Sequence, residues 1–398
     1  MNSKDRIQED HAFLTEFRHD LHQHPELMFQ EKRTSQCVVA ALESAGIEYR
    51  AGLAGGTGVL GFLPATEPGG ATVALRADMD ALPIHEETGL AYASQTPGVM
   101  HACGHDGHTT ILVGTVRNLC QIPDRKNNIL FIFQPAEEGG AGGEKMCEDG
   151  VLDGSIFPAK VDVAYGLHGW PSASEGEILT KDGPMMAATD GFRVRVHGQG
   201  GHAAAPHTTH DPIVAMAQII TAIQSIASRS VDPLDSIVFT IAAVHGGEAQ
   251  NVIPEVVELR GTMRTLLPET RILGKDRFFE IVQGIATAMG TRAEIDWYPG
   301  YPVTANDSWA TDRFRQIARD VVGEDRVLEQ PVAVMGGEDF SYYGLQVPAT
   351  FFFVGMRRAD QDEAPSVHTP RFDFNDAVIP DCVAIMSQLA LDPVLSRP

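Results

Sequence analysis

One stretch of eight residues constrains this chain more than any other: His101-Ala102-Cys103-Gly104-His105-Asp106-Gly107-His108. Five side chains able to bind a metal or handle a proton are separated there only by alanine and glycine, so the backbone can turn tightly and crowd them together. Such crowding is costly unless a cation gathers the groups. Cys103 and His105 can point into one pocket if Gly104 takes a backbone angle that other residues avoid. Taken singly, a buried cysteine is most often a small hydrophobe and an isolated histidine a satisfied polar group. Taken together, the residues read as one wall of a metal site, and the rest of the chain must supply the other walls.

The 398 residues carry enough apolar material for two or three ordinary domains. A net charge of −23, without a local basic patch, argues against nucleic acid or anionic membrane as a partner. The five scattered cysteines and a polar N-terminus without a signal-peptide core fit a reduced, cytoplasmic protein.

Apolar spacing predicts helices over residues 4–24 and 31–45, then short buried strands at Val59–Leu63 and Val73–Leu75. The second strand delivers Arg76, Asp78 and Asp80 beyond its end, where ligands of open α/β sheets sit. A helix over Thr109–Leu119 and a strand at Ile129–Phe133 follow. That strand runs into Gln134-Pro135-Ala136-Glu137-Glu138-Gly139-Gly140. Two adjacent carboxylates repel unless a cation relieves them; one can then ligate while its neighbour serves as a base. Strand Val161–Leu167 presents His168.

From Pro184 the pattern changes to alternation, with Phe192, Val194 and Val196 between Arg193, Arg195 and His197. The order of elements that follows is strand, helix, strand, strand, helix, strand, as in a ferredoxin-like unit. The expected organisation is therefore an α/β/α domain formed by residues 1–183 and 297–398, with an α+β domain inserted at 184–296. The returning part adds a helix over Ser308–Val322, a strand over Ala349–Val354 and a last helix from Asn375. Its loops Met335–Ser341, with Glu338 and Asp339, and Val367-His368-Thr369-Pro370 carry further polar groups.

These residues together resemble peptidase family M20, in its branch of hippurate hydrolases, N-acyl-amino-acid hydrolases and auxin-conjugate hydrolases. The resemblance runs through His22–Glu26, Arg76–Pro83, His101–His108, Gln134–Gly139, Gly166–His168, Gly198–His207, Asn251–Pro254, Gly336–Phe340 and His368–Pro370. It implies a metallopeptidase-type catalytic domain and a lid that also dimerises. It further implies two divalent metal ions, zinc or manganese first, with cobalt or nickel acceptable to the same N, O and S donors. Cys103 bridges the pair, His105 and His168 complete one ion, and Glu138 and His368 complete the other. Glu137 is the general base. His202 stabilises the oxyanion, from across a homodimer, and Asn251 and Arg264 hold the substrate carboxylate.

Other branches of the family place a ligating histidine where Asp78 stands and an acidic bridge where Cys103 stands. Asp78 and Asp80 are accordingly expected to orient ligand imidazoles, Asp106 to orient or cap the following helix, and His101 and His108 to support. The implied activity is hydrolysis of an N-acyl or N-aroyl amino acid to a carboxylic acid and a free amino acid. A dipeptidase or aminopeptidase, with Glu338 or Asp339 meeting the free amine, is the second reading, and a noncatalytic binding protein the third.

Overall fold

The computed structural model describes residues 3–328 and 333–394. They divide into two compact units: a larger one from residues 3–183, 305–328 and 339–394, and a smaller one from Pro184–Thr304 with Ala333–Glu338.

The larger unit is built on an eight-stranded mixed sheet. Its order is Glu48–Leu53, Gly58–Leu63, Asn128–Gln134, Thr72–Asp78, Val163–Ser174, Ala349–Arg357, Ile178–Leu179 and Val327–Leu328. The four central strands run parallel. Parallel strands are covered on both faces, which is why Thr72–Asp78 is buried along its whole length and carries the apolar run Val73–Leu75 without alternation. Helices Ser3–Gln23, His105–Leu119, Ser308–Val322 and Ile379–Leu391 pack with it, burying Leu14, Leu112, Val116, Phe314 and Ile385 in one core. Each such side chain contributes about 1.5–3 kcal/mol by leaving water.

The topology positions the site. The chain leaves Thr72–Asp78 toward Asn128–Gln134 on one side, whereas the partner that Val163–Ser174 gains later, Ala349–Arg357, lies on the other. Strand order reverses between Thr72–Asp78 and Val163–Ser174, and the carboxyl ends there open a crevice. Asp78, Glu137 and His168 all emerge at that level.

Two expectations are corrected. The helix predicted from Thr109 starts at His105, because Gly104, at φ 90°, ends the preceding turn and lets the helix begin inside the cluster. The predicted boundary at residue 296 cuts the strand Arg292–Pro299, which pairs with Ala188–His197 from Arg292 opposite His197 to Pro299 opposite Asp190. Residues 300–304 stay with the smaller unit because Thr189 N–H donates to the Tyr301 carbonyl and the Gly300 amide donates to the Thr189 carbonyl, and 333–338 join it through Ala187 N–H donating to the Gly336 carbonyl. The edge strand Glu48–Leu53, largely exposed and polar, gave no periodic signal.

In the smaller unit a four-stranded antiparallel sheet has the order Ile237–His245, Val256–Thr265, Ala188–His197, Arg292–Pro299. This is the ferredoxin-like arrangement. Phe192, Val194 and Val196 meet Met216, Ile219 and Ile223 of helix Pro212–Ser225 and Phe278 and Val282 of helix Pro268–Ala288 in its core. Among the described residues no helix is long and apolar enough to cross a membrane.

Candidate metal centre

Cys103, His105 and His168 place one donor atom each within 4.8 Å of one another, and Cys103, Glu138 and His368 do the same. Cys103 belongs to both groups. Its Sγ lies 3.2 Å from His168 Nε2 and 3.3 Å from His368 Nε2, and His368 Nε2 lies 3.0 Å from Glu138 Oε1. The loop carrying His368 is tied to the cluster by its own amide, which donates to the Ala102 carbonyl at 2.8 Å. Gly104 is required here: a Cβ at that position would meet Phe374 at 2.9 Å.

Hydrogen bonds set the histidine tautomers. His168 Nδ1–H donates to the Gly169 carbonyl at 2.7 Å, leaving the Nε2 lone pair toward Cys103. His105 Nδ1–H donates to Asp80 at 3.2 Å, and its buried Nε2 has no hydrogen-bond partner. His168 thus presents an unprotonated nitrogen, and His105 turns Nε2 into the cluster as the nitrogen that gives up its proton on ligating a metal.

The electrostatics also suit a cation. Burial raises the Cys103 thiol, and Glu138, Glu137 and Asp78 push it further above its ordinary range, so without a cation the sulfur keeps its proton. A bound divalent ion reverses this and holds a thiolate. Burial opposes charge on His105, yet Asp78, Asp80 and Glu138 outweigh it and raise it to about 10. Carboxylates here exceed cations, and the donor set fits divalent metal.

Asp80 and Asp78 orient the donors. Asp80 Oδ1 accepts from His105 and from the Glu137 amide at 3.0 Å, and Oδ2 from the Glu138 amide at 2.9 Å. Asp78 accepts from Arg76 at 2.6 Å and from His108 Nδ1–H at 2.7 Å. The other nitrogen of His108 accepts from the Gly169 amide at 2.9 Å, so His108 braces the peptide that orients His168.

One element of this frame gave no sequence signal, and two more lie in motifs whose packing the sequence does not reveal. Glu31, fully buried, accepts from the Ala136 amide at 2.9 Å and from Thr57 at 2.8 Å, holding Ala136 at φ 57° just before Glu137. Gln134 and Asp339 join Arg76 in one buried network, with Gln134 donating to Asp339 at 2.8 Å. Only packing brings these groups together; no spacing reveals it.

Asp106 is not a cap. It stands in the first turn of the helix, and its Oδ2 accepts from Arg18 at 3.0 Å and His22 at 2.8 Å. The helix N-terminus has no side-chain cap, because Gly104 occupies that position. Burial disfavours charge on His22, but Asp106 and Glu86 prevail and raise it to about 9, against 6.5 in the free side chain. The charged form is the one the fold prefers, so this contribution is complete below about pH 6.5 and lost as pH rises through about 9. Denaturant unfolding across that window should show stability falling with pH, and His22→Asn should flatten the slope; an unchanged slope would count against the ion pair.

His202, Asn251 and Arg264 belong to the smaller unit. His202 is exposed; its Nδ1 accepts from the Ala204 amide at 3.0 Å, which leaves Nε2–H as a free donor. Asn251 is exposed on the turn before Val252–Ile253. Arg264 is half-buried, its guanidinium has no hydrogen bond or ion pair among the described residues, and burial lowers that group below its ordinary value despite Asp190.

Residues 74–392 match the model of peptidase family M20/M25/M40. The chain is 42% identical over 367 residues to an N-acetyl-L-cysteine deacetylase of Bacillus subtilis, covering 92% of this chain and 84% of that protein. It is 37% identical over 384 residues to the Arabidopsis thaliana IAA-amino acid hydrolase ILR1-like 4, covering 95% and 85%. The crystal structure of Bacillus subtilis YxeP, described as a dinuclear metal-binding peptidase of the M20 family, superposes with a TM-score of 0.82 at 34% identity, covering 97% of this chain and all of that one (100%). A donor set shared between two overlapping metal groups and matches of this extent lead to one assignment: the chain is a member of peptidase family M20/M25/M40.

Proposed function

We propose that this protein is a metal-dependent amidohydrolase that cleaves N-acyl amino acids into a carboxylic acid and a free amino acid. The observation that carries the reading is the pair of donor groups meeting at Cys103, with Glu137 beside them and outside both. Two of the relatives named above, the N-acetyl-L-cysteine deacetylase and the IAA-amino acid hydrolase, are named for action on N-acylated amino acids, which supports the same substrate class.

Cys103, His105 and His168 would hold one divalent ion and Cys103, Glu138 and His368 a second; zinc or manganese suits a thiolate with imidazole and carboxylate, and cobalt or nickel is accepted by the same donors. Such ions supply an acidified water and a polarised amide carbonyl. Glu137 takes the proton from the attacking water and returns it to the departing nitrogen. Its amide is fixed on Asp80, so the side chain is aimed by the same carboxylate that orients His105. His202 Nε2–H is a free donor for the tetrahedral oxyanion, and the smaller unit would dimerise so that each subunit serves its partner. Arg264, half-buried and unpaired, would grip the substrate carboxylate together with Asn251. A cytoplasmic location agrees with its reduced cysteines.

The dipeptidase reading needs a free carboxylate for the substrate amine. Asp339 is engaged on Arg76, Gln134 and the Gly143 amide, so that reading would rest on Glu338, which is buried beside Glu137 and Asp339. A noncatalytic binding role has no need of a base placed beside a complete donor set.

A hydrolysis screen over acetyl-, benzoyl- and longer acyl-amino acids and free dipeptides, with metal content measured on the same sample, tests the proposal. Acyl-amino acids should be cleaved, exhaustive chelation should abolish turnover, and added divalent metal should restore it. Full activity in the chelated protein would rule the mechanism out.

A further inference from the structure

A cavity of about 490 Å³ lies in the larger unit between Trp170, Pro171 and Ser172 on one side and Ala364, Ser366 and Val367 on the other. This volume falls in the range of small-molecule sites, roughly 300–1,000 Å³. Both walls lead directly into the metal donors. Side chains two apart on a strand share a face, so Trp170 stands on the same face as His168, with ring centroids 6.3 Å apart. Val367 immediately precedes His368, whose side chain is 52% exposed.

Trp170 is a fixed platform. Its indole stacks on Phe353 at 4.3 Å with planes 21° apart, and Phe353 is the register partner of His168. One indole face is therefore used by Phe353, and the half-buried remainder faces the cavity. The charge of the walls narrows what can enter. Arg357 is held by neutral partners, donating to Ser174 Oγ at 2.9 Å and to the Asp362 carbonyl at 3.3 Å, so its one positive charge is set against the two carboxylates, Asp362 and Glu363, that are exposed at the rim and leave it net acidic.

We propose that this cavity is the acyl-group subsite and that it takes a neutral, planar aromatic acyl group against Trp170. The inference rests on the amidohydrolase reading, in which Asn251 and Arg264 engage the amino-acid half and leave the acyl half to the larger unit. An acetyl group is too short to use the indole. A benzoyl group reaches it through dispersion and ring contact. A dicarboxylic acyl group brings a second anion to an acidic rim and is disfavoured.

The test uses metal-loaded protein with N-benzoylglycine, N-acetylglycine and N-succinylglycine as substrates, and benzoate and acetate as binding probes in calorimetry. Trp170→Ala should lower kcat/KM for the benzoyl substrate about tenfold or more, chiefly through KM, and leave the acetyl substrate within about twofold. Benzoate binding should weaken in parallel and acetate binding should not. Ala364→Trp, which narrows the cavity without touching Trp170 or a donor, should produce the same selective loss. Equal losses on benzoyl and acetyl substrates would overturn the proposal and leave Trp170 as a support for His168. Undiminished benzoate binding in both variants would also overturn it. Wild-type protein that hydrolyses none of the substrates but binds benzoate through Trp170 would sink the proposed reaction and uphold the subsite.

Discussion

Glu137→Gln should lower kcat on any N-acyl amino acid by on the order of 10²–10⁴, the usual contribution of a positioned acid/base, while the protein keeps its fold and its metal. A factor of a thousand corresponds to about 4 kcal/mol of transition-state stabilisation. The substitution is nearly isosteric and leaves the backbone amide on Asp80 undisturbed. What it removes is the capacity to accept a proton. Glu138→Gln provides the contrast, because Glu138 sits 3.0 Å from His368 within the second donor group. Its loss should appear as lower metal content. Metal analysis and steady-state kinetics on the two variants separate the roles; activity within tenfold of wild type for Glu137→Gln would remove it as the base.

That these adjacent glutamates can divide the work was legible in the sequence because the physics is local. Two carboxylates side by side at a strand end need a cation, and only one of them can face it well. The crowded His101–His108 stretch was legible for the same reason, as were the buried strands that carry Asp78 and His168. What stayed hidden are contacts made by burial alone. Glu31 reaches Ala136 over 105 residues, and Asp339 reaches Arg76 over 263. No period or spacing marks Glu31, and the two-glycine, two-acid loop that carries Asp339 does not reveal its burial, since a buried carboxylate and a solvated one look alike in a string of letters. His108 shows an intermediate case. Its place in the motif marked it as polar support, but its use as a brace between Asp78 and the Gly169 peptide depends on a strand sixty residues on. The start of the helix at His105 was missed because a glycine with positive φ takes over the role that a side-chain cap normally announces.

The frame behind the donors should matter almost as much as the donors, and Asp80→Asn is the sharpest way to see it. One carboxylate satisfies three N–H groups: Oδ1 takes His105 and the Glu137 amide, and Oδ2 takes the Glu138 amide. Asparagine keeps one accepting oxygen and turns an NH₂ toward a donor. Retaining Oδ1 sets that NH₂ against the Glu138 amide, and flipping it sets the NH₂ against His105 and Glu137 together. Either way a buried donor is left unmet, which costs about 1–3 kcal/mol in stability, and the loop carrying both glutamates loosens. Metal affinity should fall about 10–100-fold, as for other groups that orient ligands. Because every donor atom is still present, raising free metal should recover much of the lost activity in Asp80→Asn and none of it in Glu137→Gln. Titrating metal into chelator-stripped protein, with turnover and thermal unfolding followed together, measures both effects. If saturating metal leaves Asp80→Asn as inactive as Glu137→Gln, then Asp80 takes part in the reaction itself and its role as a positioning group is wrong.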